Sequence, residues 1–118
     1  YKKGLLASEY EAQQEQKKKE EQERLAREFK EELYNKYGKQ MVDKFYNADK
    51  ILIKGVNIHL VSEWLEKYWP REKWIEFYRT DSDGYGVYEL HEGNVIYGFR
   101  MTARIYTKNN LITDWVNY

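Results

Sequence analysis

The sequence predicts an α+β fold: a long N-terminal helix, one or two short helices, then a four-stranded antiparallel meander sheet packed on the helices. Three observations predict it. Gln13 to Arg24 (QQEQKKKEEQER) contains no apolar residue, Gly or Pro, and nearly every member is a good helix former. After Pro70 the hydrophobic period changes from helical spacing to alternation. Short turn sequences then separate four strand-like runs, and strands joined so closely must pair antiparallel. A sheet with one apolar face needs helices over that face.

The elements follow in order. Glu15–Lys19, Glu20–Arg24, Glu23–Arg27 and Glu32–Lys36 place acid before base at i,i+4, worth about 0.2–0.5 kcal/mol per pair in an isolated helix. Leu25, Phe29, Leu33 and Tyr37 recur every fourth residue, so this end of a helix over residues 8–37 carries an apolar stripe fit for docking. Gly38 stops it. Met41, Val42 and Phe45 suggest a short helix ending near Asn47, and Ile51-Leu52-Ile53 leads into Lys54-Gly55. Asn57 can cap a helix bearing Leu60, Val61, Trp64 and Leu65, which closes at Trp69-Pro70. Strands are expected at 73–79, 85–91, 95–107 and 111–116, with turns at Asp81–Gly84, Glu92–Asn94 and Lys108–Asn110. Alternation puts Phe99, Met101, Ala103 and Ile105 on one face of the third strand and Arg100, Thr102, Arg104 and Tyr106 on the other. The expected core joins Leu60, Trp64, Phe99, Met101 and Ile105.

Composition bounds both organisation and function. The 118 residues suffice for one domain, and residues 1–37 form a charged helical arm ahead of an α+β domain at 38–118. Of the aromatic residues only Tyr1, Tyr10, Phe29, Tyr34 and Tyr37 fall in the arm. Net charge is zero, which argues against nucleic acid or anionic lipid as the main partner, since either needs a positive field. No segment has the roughly 18 apolar residues of a membrane span. With no cysteine there is no disulfide, thiolate zinc site or thiol nucleophile.

Catalytic constellations are sparse. The two histidines are His59, near a helix cap, and His91, at a strand end beside Glu89 and Glu92. Along an extended strand only Glu89 shares the face of His91, which favours a surface histidine over a metal ligand or general base. Ser8, Ser62 and Ser82 lie in no nucleophile elbow. Asp81–Gly84 lacks the later ligands of a calcium loop, and Gly84-Tyr85-Gly86 is followed by neither a helix start nor a lysine. No enzyme activity, cofactor or metal is therefore expected. The remaining feature is aromatic: Trp74, Tyr78, Tyr85, Tyr88, Tyr97, Tyr106, Trp115 and Tyr118 lie on or beside the sheet. Such rings can serve as cross-strand pairs alone, yet Tyr, Trp and Arg also dominate interface hot spots. Trp74, Tyr78, Arg100, Arg104 and Tyr106 are the candidate protein contacts.

The order of landmarks over residues 36–115 resembles the SmpA/OmlA-like group of small cell-envelope domains. The landmarks are Lys36-Tyr37-Gly38, Ile53-Lys54-Gly55-Val56-Asn57, Trp69-Pro70, Tyr85-Gly86-Val87-Tyr88-Glu89-Leu90, and Ala103 to Trp115. The resemblance implies the fold of the β-lactamase inhibitor proteins, and a setting among function-unassigned bacterial envelope lipoproteins or secreted proteins. Its motifs are glycines, caps and turns rather than catalytic groups. Val56 stands where methionine is common, Asn110 where glycine is usual, and no lipid-bearing cysteine precedes Tyr1. The chain begins without methionine, which leaves room upstream for a leader or lipid anchor. The function expected is a non-enzymatic binding or scaffold module of the bacterial envelope or exterior, acting through an unidentified protein partner; a cytoplasmic setting stays open. The alternatives are a small enzyme or ligand carrier, marked by a deep polar pocket between helix and sheet holding His91 with a carboxylate, a carbohydrate-binding domain whose flat rings stack on sugars, and a structural homo-oligomer paired through the N-terminal helix.

Overall fold

The computed structural model describes residues 7–118, with side chains from residue 11 onward; the start of the predicted arm lies outside the described residues. The elements are α1 (Ala7–Tyr37), α2 (Lys39–Asn47), α3 (Ile58–Tyr68), β1 (Lys73–Ser82), β2 (Tyr85–Asn94), β3 (Gly98–Lys108) and β4 (Leu111–Asn117). The predicted α+β order is thus present, with a meander sheet in the order β1-β2-β3-β4. The chain divides into two compact units between Lys36 and Tyr37.

The N-terminal unit is helical. Its side chains from Glu11 to Glu28 are exposed apart from half-buried Gln14. Arg24 lies 3.8 Å from Glu21 and 4.0 Å from Glu28, and Gln16 donates to Glu20 at 3.1 Å. Along the predicted stripe Leu25 is exposed, Phe29 half-buried and Leu33 fully buried.

The second unit is built around α3. The Asn57 side chain accepts from the His59 amide at 2.8 Å, the predicted cap. Leu60, Val61 and Leu65 then form its buried face. They share a core with Val42 and Phe45 of α2, Leu52, Val56, Ile58, Leu90, Ala103, Ile105 and Ile112. Each of these side chains larger than alanine contributes about 1.5–3 kcal/mol by leaving water. Thr107 is the buried polar member, and its hydroxyl donates to the Gly86 carbonyl at 3.1 Å. The Asn109-Asn110 turn takes positive φ at both residues, as a two-residue hairpin of matching twist requires. Segment 55–57 is tied to the start of β4 by Gly55 N–H to Ile112 O at 2.8 Å and Ile112 N–H to Val56 O at 2.9 Å. At the other edge, β1 carries two register shifts and the charges of Glu76, Arg79 and Asp81. Both features blunt edge-to-edge pairing.

Two sequence expectations are corrected. Val95-Ile96-Tyr97, assigned to a strand by β-branched and aromatic content, is the turn between β2 and β3. The Asn94 carboxamide accepts from the amides of Ile96 and Tyr97 at 2.9 and 2.8 Å, while Gly93 and Gly98 take positive φ on either side. A Cβ on Gly93 would sit 2.1 Å from the Gly98 carbonyl oxygen, so the strands meet there only because it has none.

The second correction concerns the faces of β3. Leu90 pairs with Ala103 but its neighbour His91 pairs with Met101, leaving Thr102 as the extra residue of a bulge. Ala103 and Ile105 face the helices with Leu90. Met101 and Phe99 turn to the opposite face with His91 and Gly93. Phe99, expected in the core, is 44% exposed there. Met101 is half-buried, and Trp64 is half-buried against the rings of Phe45 and Tyr68. Only Leu60 and Ile105 of the expected cluster are fully buried.

Candidate functional site

The sheet face turned away from α3 collects the polar and aromatic side chains. Register places Trp74, His91 and Met101 side by side, and next to them Glu76, Glu89, Arg104 and Val116. Trp74 stacks on the His91 ring at 5.4 Å and 8°, and meets the Phe99 ring edge-on at 5.0 Å. His91 Nε2 lies 3.2 Å from Glu76 Oε2 and 3.3 Å from Glu89 Oε1. The other oxygen of Glu89 accepts from Arg104 Nη2 at 3.1 Å. The guanidinium of Arg104 in turn lies 4.7 Å from the Tyr78 ring centroid, and that of Arg79 at 5.2 Å. Contacts therefore run without a break from Phe99 through Trp74, His91, Glu89 and Arg104 to Tyr78. The hydrogen bond to Glu89 raises the Arg104 pKa further above its ordinary value.

Of the candidate contacts, Trp74, Tyr78 and Arg104 lie in this network. Tyr106 shares the face, paired with Val87 and Asp114, and is half-buried. Arg100 does not join them. The bulge at Thr102 reverses its parity relative to Arg104, and it pairs with Glu92, which lies 3.8 Å from Lys73. The sequence reading found one carboxylate beside His91; the structure supplies a second, Glu76, from the neighbouring strand. Alternation along β2 reveals Glu89, but only cross-strand register reveals Glu76.

A further exposed feature was missed. Val95, Ile96 and Tyr97 are 89%, 80% and 89% exposed at the tip of the β2–β3 hairpin, on a turn held by Asn94. Glycines bracketing Asn94 were the available signal, masked by the strand propensity of Val-Ile-Tyr. On the helix side, Phe45, Tyr46, Ile51, Trp64 and Trp69 line an open cleft of about 320 Å³, with Asp49, Lys50 and Lys73 at its polar margin. His91 is not among its lining residues.

These features define a small α+β protein with a mixed aromatic and ionic sheet face and an apolar hairpin tip. No protein-family model, curated protein or solved structure matches the chain.

Proposed function

We propose that the protein is a non-enzymatic protein-binding module of the bacterial cell envelope or exterior, engaging its partner through the β2–β3 hairpin tip and the adjoining Phe99–Trp74 end of the sheet. The observation that carries this reading is the near-complete exposure of Val95, Ile96 and Tyr97 on a hydrogen-bonded turn. Holding three large apolar side chains in water forgoes about 25 cal/mol per Å² of apolar surface. A preorganised turn then binds with little ordering cost. The partner proposed is a protein with an apolar cleft that receives Ile96 and Tyr97. Glu92 and Arg100 flank the tip with opposite charges, whereas a membrane-inserting tip is favoured by a cationic rim. The similarity of landmark order to SmpA/OmlA-like domains supports the envelope setting.

A photo-reactive residue in place of Ile96 tests the reading in a bacterial envelope extract. The expected result is one dominant protein adduct, competed away by unlabelled protein but not by an Ile96→Asp/Tyr97→Asp variant. Adducts to lipid alone, or competition by the double variant, would overturn it. The aromatic cleft at Trp64 and Trp69 favours a second reading, a small-ligand site for a flat ring or sugar. Saturable tryptophan quenching by such ligands, unchanged in the tip variant, would support that instead.

A further inference from the structure

We propose that His91, Glu76 and Glu89 form a three-ligand site for a divalent transition-metal ion, Zn²⁺ by preference, with the fourth coordination position open. The argument starts from distances. Zinc bonds to imidazole nitrogen and carboxylate oxygen are about 2.0–2.2 Å, so the donor atoms of a tetrahedral site stand about 3.3–3.5 Å apart. His91 Nε2 is 3.2 Å from Glu76 Oε2 and 3.3 Å from Glu89 Oε1. One donor atom from each of the three residues lies within 4.8 Å of the others. An ion can therefore enter between them by small side-chain adjustments, with no movement of the strands.

The surrounding groups hold the donors in place. Trp74 stacks on the imidazole and fixes its plane. Arg104 binds the second oxygen of Glu89, which leaves Oε1 turned to His91. Such outer contacts orient ligands in metal sites generally. His91 and Glu89 are half-buried on β2, whereas Glu76 on β1 is exposed and supplies the route of entry. The donor set selects the ion: one imidazole and two carboxylates, without sulfur, suit zinc and its neighbours in the first transition row better than Mg²⁺ or Ca²⁺. The two carboxylate donors together carry the charge that matches a dication.

Calorimetric titration of the full chain with ZnCl₂ at neutral pH, with and without millimolar Mg²⁺, tests the site. Co²⁺ absorption reports the coordination. The expected result is one saturable Zn²⁺ site that survives Mg²⁺. Affinity should fall about 100-fold or more in His91→Ala and about 10–100-fold in Glu76→Gln, and stay unchanged in His59→Ala. Glu76 is exposed, so its variant keeps the question answerable should His91→Ala fold poorly. No saturable binding, equal binding of Mg²⁺, or unchanged affinity in Glu76→Gln would overturn the proposal. The titration contains no protein partner, so its outcome is independent of the function proposed above.

Discussion

Tyr37 is half-buried, and its hydroxyl donates to the Glu63 carboxylate of α3. Burial first, then the hydrogen bond and charge of Glu63, raise its pKa well above the usual tyrosine value. Folding therefore favours the neutral phenol. The resulting stabilisation is complete below the unfolded tyrosine pKa of about 10, and is lost as pH rises from there through the higher folded value. Tyr37→Phe cannot ionise. Its melting temperature should consequently fall less steeply than that of the wild type above about pH 10. Parallel alkaline slopes for the two proteins would show that this hydroxyl is not coupled to folding. The same scale explains the reach of Asn94, whose carboxamide holds two amides of a turn that strand propensity alone would straighten.

At the scale of the element, one inserted residue decides which side chains meet. Strict alternation along β3 groups Phe99 with Ile105, and the bulge at Thr102 separates them onto opposite faces. Truncation energies should follow the bulge. Ile105→Ala, in the fully buried layer, should cost about 2–5 kcal/mol. Phe99→Ala, half in water against Trp74, should cost about 1 kcal/mol, near the lower limit for burying such a ring. Urea unfolding of both variants checks the order; a larger loss for Phe99→Ala would place that ring in the core. The bulge also explains the candidate surface, because it keeps Arg104 beside Glu89 and sends Arg100 to the other side. β1 has its own shift after Phe77, which leaves Tyr78 and Arg79 together opposite Val87.

For the whole molecule, the long helix and the compact α+β unit differ in what holds them. Side chains from Glu11 to Glu28 are almost all exposed, and the ion pairs of Arg24 with Glu21 and Glu28 are solvated. Exposed pairs contribute only tenths of a kcal/mol each. Deleting residues 1–24 should therefore shift the melting temperature by no more than about 8 °C, the largest response of a domain this size to roughly 1 kcal/mol. A collapse of the melting transition would mean that the exposed stretch contributes to the folded unit in a way its solvation does not indicate.

Local chemistry by itself determined the element order, the stop at Gly38, the Asn57 cap, the close of α3 before Pro70 and the four-strand meander. Each depends on residues within a turn or two of one another. It also placed Leu60, Val61 and Leu65 on one helix face and Ala103 with Ile105 on one strand face. Tertiary structure decided the rest. Register brought Glu76 of β1 to His91 of β2, and the bulge chose which side of the sheet received Phe99 and Arg100. Two glycines and one asparagine turned Val95–Tyr97 outward into water. The physical reason is the two-residue period of a strand. One extra residue exchanges its faces, and whether a strand accepts that residue depends on its partner across the ladder, not on its own composition.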